Sequence, residues 1–224
     1  MDARISQYMQ GSLNYSVLSR HSTRKFLPTT VPIEHVKESL SLAQHSPSNS
    51  NIQPWRALFI SGTELNSLKA ALLKIADEEK PRIPPLPEAF RHYRSELGRD
   101  LFGKSMGIAR EDMPARRAAE LRNFNFFGAP LAGIIYMDQK LTHADSLSVG
   151  IWLQTLVLGL TEKGLGTCIE GSVAGYPQVI RKELGIADEM VILCGLAVGY
   201  SDPDSQINCM VSQRDSWEDC VEIR

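Results

Sequence analysis

The chain has 224 residues, of which 43% are hydrophobic, and its formal net charge is -2. This composition is typical of a folded globular protein and excludes disordered and fibrous classes. The 24 basic residues nearly balance the 26 acidic ones, which argues against a nucleic-acid partner, because phosphate backbones are bound by strongly basic faces. The N-terminal residues lack the apolar core of a signal peptide, and no stretch approaches the roughly 18 uninterrupted apolar residues of a membrane helix. We therefore expect a cytoplasmic protein without a membrane partner.

The cysteines and histidines do not form a recognisable site. The four cysteines are Cys168, Cys194, Cys209 and Cys220. Their spacing matches neither a CxxC pair nor a zinc ribbon, and the five histidines are scattered without metal-ligand spacing. Because four cysteines in a chain of this size do not define a disulfide scaffold, we expect reduced, partly buried thiols and no metal site.

The first third of the chain predicts a helix, a strand and a second helix. Apolar residues recur at helical spacing over 33–44, directly after Pro32, which suits a first helical turn. The short apolar run 55–60, bounded by breakers, is typical of a strand. Thr63 is expected to cap the next helix, whose apolar positions extend to Ile75.

Residues 80–127 differ in character from the chain on either side. They begin with the proline-rich stretch PRIPPLPEAF and continue with mixed-charge helical patterns around 91–102 and 112–123. An aromatic cluster, FNFF at 124–127, ends the segment. We interpret this segment as an insertion between core elements and not as a linker.

The second half of the chain predicts strands at the apolar runs 131–137 and 190–198. The longest helix, 145–163, has so little polar surface that it should be buried on most sides, against a partner chain as one alternative. Pro177 is expected to begin a short helix. The polar tail 201–224 is too long for a frayed terminus and should wrap the fold or a neighbour. Together these elements predict the α+β class.

Three polar clusters have the residue types of a cofactor site. The segment 20–24, RHSTR, combines two guanidinium groups with two hydroxyls, which suits a phosphate ester or a solvated basic turn. The segment 47–55, PSNSNIQPW, concentrates amides and hydroxyls that match the edge of a flavin-like ring or form an ordinary turn. The glycines of 164–171, GLGTCIEG, allow close approach to a flat ligand or cap a helix. Ile169 stands where a GxGxxG fingerprint needs glycine, so a Rossmann site is not supported.

The familiar motifs of side-chain catalysis do not occur in the sequence. It has no GxSxG elbow, P-loop, HExxH pair or EF-hand pattern. Because no convincing nucleophile and base are present, we expect the chemistry to reside on a bound cofactor, with no catalytic side chain.

In this order and spacing, the three clusters resemble the FMN-dependent nitroreductase family. The resemblance extends over residues 14–223 and is closest to the branch that reduces nitrobenzoates and related nitroaromatics. That branch has a similar proline-rich and helical insertion, and the stretches GIARED at 107–112 and FFGAP at 126–130 are similar to its sequences.

The resemblance implies a nitroreductase-like α+β fold, in which helices surround a central mixed or antiparallel sheet and two subunits form an intertwined homodimer. It implies a single domain over 1–224, with the helical and proline-rich insertion at 80–127. The tail 201–224 would wrap the partner subunit, and FMN would lie at the subunit interface.

The resemblance also assigns cofactor contacts. One subunit would hold the FMN phosphate and the isoalloxazine edge with Arg20, His21, Ser22 and Arg24. The motif PSxxNxQPW would reach the FMN of the other subunit with Ser48, Asn49, Asn51 and Gln53. The backbone facing flavin N5 would belong to Ile169, Glu170 and Gly171. Arg214 matches a C-terminal arginine that binds the phosphate, and Ser212 stands where many relatives have a second basic residue.

The implied activity is the reduction of nitroaromatic compounds in a ping-pong, two-electron mechanism with NAD(P)H as electron donor. Phe102, Phe124 and Phe127 are predicted to sandwich a planar aromatic acceptor or to pack in the core. The alternatives on the same fold are an enone or quinone reductase and a reductive dehalogenase. An alternative of another class is a non-catalytic flavin-binding interaction protein.

Overall fold

The computed structural model describes Met9 and residues 12–224. The helices of this range are α1 (Leu13–Ser19), α2 (Ile33–Ala43), α3 (Gly62–Glu78), α4 (Arg91–Gly98), α5 (Met113–Leu121), α6 (His143–Glu162) and α7 (Pro177–Leu184). The strands are β1 (Arg56–Ser61), β2 (Leu131–Asp138), β3 (Gly166–Glu170) and β4 (Met190–Gly199). Helices and strands together give the α+β class that the sequence predicts.

The four strands form one sheet in the order β1-β2-β4-β3, and every neighbouring pair is antiparallel. The pairing of β2 with β4 shifts where Ile135 faces Cys194 and the next residue, Tyr136, faces Ile192. Leu193 is therefore an extra residue on β4, a β-bulge that moves the side chains beyond it to the opposite face.

Each face of the sheet packs against its own layer of helices. Leu65, Leu68 and Leu72 of α3 lie on one face with Ile180 of α7, in a cluster that also contains Phe126. The other face contacts α2 and α6, in a cluster whose centre is formed by Val36, Trp55, Trp152, Leu156 and Leu160. Successive side chains of β2 point to opposite faces of the sheet, which separates the two clusters. Ile134 therefore belongs to the first cluster and Ile135 to the second.

Helix α6 is the central helix of the second layer. It begins with a capping box, in which the Asp145 carboxylate accepts from the Thr142 backbone and hydroxyl at 2.8 and 2.9 Å. By length and composition α6 could cross a membrane, but half of its most apolar window is buried inside this fold. Its remaining apolar residues include Leu147, which is 67% exposed, and Ile151, which is 38% exposed.

The insertion consists of α4, a π-helical segment over Arg99–Ser105, and α5, whose N-cap Asp112 accepts from the Ala115 amide at 3.0 Å. It ends in a strained turn, where Phe126 and Phe127 have positive φ angles of 48° and 52°. Both side chains are nevertheless buried.

The predicted helices and strands are present near their expected positions, with three differences. Helix α1 (Leu13–Ser19) was not predicted. Thr63 does not cap α3, because the chain passes from β1 into the helix through Gly62, whose φ is 57°, and Ser61 takes the N-cap position. Residues 166–170, for which no element was predicted, form the edge strand β3.

Candidate functional site

The first predicted cluster, residues 20–24, lies along the free edge of strand β3. Ser22 forms a parallel bridge with Thr167, and the Thr23 amide donates to the Thr167 carbonyl at 2.9 Å. This approach requires glycine at position 166, since a Cβ there would lie 2.5 Å from the Thr23 hydroxyl oxygen. The first and third clusters are therefore parts of one site.

The beginning of the C-terminal tail holds this segment from the other side. The Asn208 side-chain oxygen accepts from the Arg24 amide at 2.8 Å, and its Nδ2 donates to the carbonyls of Lys25 and Asp202 at 2.8 and 3.0 Å. Asn208 is buried, so one side chain satisfies three backbone groups. The sequence analysis missed Asn208 because no local pattern marks it.

Arginines from opposite ends of the chain contribute positive charge to this site. Burial lowers the pKa of Arg20, and the like charge of Arg214 lowers this pKa further. Arg214 is exposed and donates to the carbonyls of Ser212 and Gln213 at 3.1 and 2.9 Å. Positive charges that act on one another at the same site favour a bound anion, so these arginines fit a phosphate group.

The remaining polar atoms of residues 20–24 leave donors for a ligand. His21 Nδ1 is 3.0 Å from the Ser19 carbonyl. In the part of the chain that the structure describes, the buried His21 Nε2 and Thr23 Oγ1 have no hydrogen-bond partner. Arg24 Nη1 donates only to the nearby Ser22 carbonyl, at 3.3 Å. The Thr23 hydroxyl is fully buried and is not accessible to a ligand. The half-buried Arg24 guanidinium is accessible, and it suits a cofactor that has a phosphate and a ring with acceptor atoms, as FMN does.

The third predicted cluster contributes open backbone and a buried acid. Ile169 is 46% exposed, and a Cβ at Gly171 would meet no atom within 4 Å, so this backbone is accessible to a flat ligand. Glu170 between them points inward and is 2% exposed. Burial raises the pKa of Glu170 well above its ordinary range, although Arg24 and Lys69 oppose this shift. Both of its carboxyl oxygens lack a hydrogen-bond partner within Met9 and residues 12–224.

The second predicted cluster is an exposed loop fixed to the N-terminal end of α6. Ser50, Asn51 and Gln53 have positive φ angles of 49°, 54° and 50°, a conformation that is rare for residues other than glycine and is found at binding sites. The loop is closed by the Gln53 amide, which donates to the Ser48 hydroxyl at 3.0 Å. The Asn49 amide donates to the Ser148 hydroxyl of α6 at 3.3 Å.

The structure therefore brings the first and third clusters together but keeps the second apart from them. Over the described residues, no hydrogen bond connects 20–24 with 48–53. Residues 20–24 contact β3 and the tail, whereas 48–53 contact α6.

The three predicted acceptor-contacting residues line one cavity of about 1260 Å³ beneath the insertion: Phe102, Phe124 and Phe127. Arg24 and Gly171 line the same cavity, so it opens onto the site formed by the first and third clusters. Phe124 and Phe127 are also part of the core cluster on that face of the sheet, whereas Phe102 is not.

An α+β sheet protein with an arginine-containing segment at a strand edge, open backbone at the end of that strand and an adjoining aromatic cavity has the features of proteins that bind an anionic, flat cofactor. Comparison with known proteins gives the family. Residues 17–200 match the model of the nitroreductase family. This chain belongs to the nitroreductase family, as the order of its three polar clusters predicts.

The curated relatives and solved structures cover nearly the whole chain. A 4-nitrobenzoate reductase from Pseudomonas putida is 35% identical over 89% of this chain and 89% of its own. A chloronitrobenzene nitroreductase from Comamonas testosteroni is 32% identical over 91% of this chain and 92% of its own. The FMN-dependent nitroreductase NfnB from Mycobacterium smegmatis, solved in complex with NADPH, has a TM-score of 0.87 and 27% identity, over 93% of this chain and 96% of its own. The predicted nitroreductase-like fold is thereby confirmed.

Proposed function

We propose that this protein is an FMN-dependent NAD(P)H oxidoreductase that reduces nitroaromatic compounds. The single observation that supports the cofactor assignment most strongly is that segment 20–24, with two guanidinium groups, lies against strand β3, whose end exposes backbone at Ile169 and Gly171. The relatives named as nitroreductases and the NADPH complex of a structural neighbour support the reaction class. FMN, when bound, supplies the chemistry by taking up a hydride and passing two electrons to the acceptor.

The residues of this chain have binding and orienting roles in that reaction. Arg20, His21, Ser22 and Arg214 would hold the phosphate, and Arg24 would donate to the ring edge, where its positive charge favours the reduced, anionic form. The exposed backbone of Ile169 and Gly171 would support the ring, leaving its other face open to the cavity. No side chain is assigned a proton-transfer step, because the cavity admits water.

We also propose that the functional unit is a homodimer. Helices α1 and α2 both pack against α6, and the three helices expose Leu13 (71%), Leu42 (52%) and Leu147 (67%). Exposed apolar side chains on three helices that pack together suit an interface with a second subunit. The loop with Ser48, Asn49, Asn51 and Gln53 is attached to the same helix α6, so dimerisation through this face would place it near the partner's cofactor.

The C-terminal tail would complete the interface. Its first part is fixed to this chain, since the Asp202 amide donates to the Lys25 carbonyl at 3.1 Å. Its later part exposes Trp217 (58%) and Ile223 (81%), which are expected to pack against the partner subunit. We further propose a cytoplasmic location, with which four free cysteines agree.

An anaerobic absorbance experiment tests the proposed function. Purified protein reconstituted with FMN should show the two visible bands of oxidised flavin, which NADPH or NADH should bleach and nitrobenzene should restore. Bleaching without restoration by a nitroarene would move the acceptor to enones, quinones or halogenated aromatics. A protein that does not bind FMN would contradict the proposal and favour a non-catalytic interaction protein.

A further inference from the structure

The main chain of residues 23–27 is bound at both of its ends. At the first end it follows the edge of β3, where the Thr23 amide donates to the Thr167 carbonyl at 2.9 Å. At the second end it follows the exit from β4, where the Leu27 amide donates to the Tyr200 carbonyl at 2.9 Å. Releasing paired backbone groups costs free energy, so this segment is held in one conformation.

Arg24 lies between these two ends, and side chains bind both of its own peptide groups. The Asn208 side-chain oxygen accepts from the Arg24 amide at 2.8 Å, and Arg122 donates to the Arg24 carbonyl. Asn208 also donates to the next carbonyl, that of Lys25, at 2.8 Å. Asn208 belongs to the tail and Arg122 to the end of the insertion, so two distant parts of the chain fix the same residue.

The Arg24 side chain, in contrast, has free hydrogen-bonding capacity. Its guanidinium is half-buried, lines the cavity beneath the insertion and donates to the Ser22 carbonyl at 3.3 Å. Over Met9 and residues 12–224, no carboxylate lies within ion-pair distance of it. A fixed main chain that carries an unpaired guanidinium presents a positive charge in a defined position, as a preorganised site requires.

The chemistry of the two supporting side chains suits this role. Asn208 is buried, and it also donates to the Asp202 carbonyl at 3.0 Å. Only an amide can accept from one peptide group and donate to two others, whereas an ionised carboxylate would face two carbonyl oxygens without a donor. The Arg122 guanidinium carbon lies 5.9 Å from the centre of the Phe127 ring, a contact that restricts where this guanidinium can lie.

We propose that Asn208 and Arg122 are positioning residues that fix the Arg24 main chain, so that the Arg24 guanidinium favours reduced over oxidised flavin. Neither residue is assigned a flavin contact of its own, and both act through Arg24. A charge that is already in place stabilises a new negative charge better than a mobile one, because no reorganisation is needed. This inference deepens the proposed function and rests on it.

The first measurement is made on the apoprotein and follows the main chain directly. Asn208→Ala removes the acceptor of the Arg24 amide, so hydrogen exchange of this amide, followed by NMR, should accelerate by about three- to tenfold. Amides in the middle of β2 should exchange as in the unchanged protein.

The second measurement is the two-electron midpoint potential of the FMN-loaded protein, which compares the affinities for reduced and oxidised FMN. Asn208→Ala changes no charge, so a shift in potential reports the position of Arg24. We expect reduced FMN to lose about tenfold more affinity than oxidised FMN, which lowers the potential by about 30 mV. The matched control is Tyr176→Phe, which removes another buried neutral hydrogen bond, at 2.6 Å to the Glu79 carbonyl, and should leave the potential unchanged.

A second pair of variants tests the contribution of the insertion without a change of charge. Arg122 and Arg116 are both half-buried and both line the cavity, and the Arg116 guanidinium carbon lies 4.5 Å from the centre of the Phe102 ring. Arg122→Lys should lower the potential, because the shorter side chain loses the Arg24 carbonyl. Arg116→Lys should not lower it. This pair decides the question if Asn208→Ala does not fold.

Three results would overturn the proposal. Equal losses of affinity for oxidised and reduced FMN in Asn208→Ala would mean that Asn208 only supports the fold. A lower potential without faster exchange of the Arg24 amide would mean that Asn208 does not act through this main chain. Equal shifts in Arg122→Lys and Arg116→Lys would assign the effect to the cavity in general. Failure of the proposed function would instead be seen in the unchanged protein, as an absence of FMN binding.

Discussion

Arg24 is the residue at which the tail, the strand edge and the cavity meet. Its amide is bound by Asn208, its carbonyl by Arg122, and its side chain lines the cavity. We expect Arg24→Ala to weaken FMN binding by about tenfold or more, because a charge-assisted contact to the ring is lost. Fluorescence titration of the apoprotein with FMN measures this, with the exposed neighbour Lys25→Ala as control. Equal affinities of the two variants would contradict the assignment.

Glu170 determines how stability depends on pH. Because burial raises its pKa, the native state retains a proton that the unfolded state releases above about pH 4.3. Native stability should therefore fall as pH rises, by up to about 1.4 kcal/mol per pH unit, until the native carboxyl itself titrates. The Glu170→Gln variant has no ionisable carboxyl at this position, so its stability should not show this decrease with rising pH.

Urea unfolding of the FMN-saturated protein at several pH values measures the difference. The difference in unfolding free energy, Glu170→Gln minus the unchanged protein, should increase as the pH is raised from roughly 5 to 8. Parallel profiles over that range would mean that Glu170 is ionised in the native state, with Lys69 and Arg24 as its partners.

The site residues differ in how far the sequence could predict them. Arg20 and Arg24 are close in sequence, so they could be recognised as one cluster. Arg214 was assigned only through the resemblance to a family. Asn208 binds the Arg24 amide across 184 positions of sequence, and no periodicity or motif reports such a contact. Arg116 and Arg122 were within a recognised insertion, but their pairing with Phe102 and Phe127 depends on how the insertion folds.

At the scale of elements, the contact between segment 20–24 and β3 depends on Gly166. A Cβ at this position would lie 2.5 Å from Thr23 Oγ1 and 3.0 Å from Thr23 Cβ. We expect Gly166→Ala to displace the segment, to destabilise the fold by about 1–3 kcal/mol and to weaken FMN binding. Unfolding experiments and flavin titration measure the two effects.

A control and a rescue make this prediction specific. Gly103→Ala adds a methyl group in the insertion where no atom lies within 4 Å, so it should change neither property. Combining Gly166→Ala with Thr23→Ala removes the closest clashing atoms and should recover part of the lost stability. Without any recovery, the clash with Thr23 would not be the cause.

Most helices and strands were predictable, because proline and glycine residues mark their ends. Pro177 begins α7, and Gly185, with a φ of 64°, ends it. The bulge at Leu193 was not predictable, since it arises from the register of β4 against β2 and not from the apolar run that identifies the strand. Strand β3 was missed for a similar reason, because a short edge strand is defined by its partner.

At the scale of the whole molecule, the apolar face of α6 predicts that the isolated subunit is incomplete. Leu147→Glu places a charge in the proposed interface, where it would be buried without a partner. We expect this variant to sediment as a monomer and to lose FMN at concentrations at which the unchanged protein is a flavin-loaded dimer.

The matched control for this experiment is Met113→Glu. Met113 is 66% exposed, close to the 67% of Leu147, but it lies in the insertion at the start of α5, where an acidic residue suits the helix dipole. Analytical ultracentrifugation and flavin content should be unchanged in this variant. A dimeric, flavin-loaded Leu147→Glu protein would contradict the proposed interface.

The tryptophans give the molecule two separate optical reporters. The rings of Trp55 and Trp152 are stacked with centres 6.0 Å apart and planes 12° from parallel, and both indole N-H groups donate to the Gln44 side-chain oxygen, at 2.7 and 3.0 Å. Such a pair should give an exciton signal in circular dichroism that disappears when the second core layer unfolds. Trp217 lies in the exposed tail, so its emission would shift to shorter wavelength only when the tail is covered, and unfolding and assembly can be followed independently without an added dye.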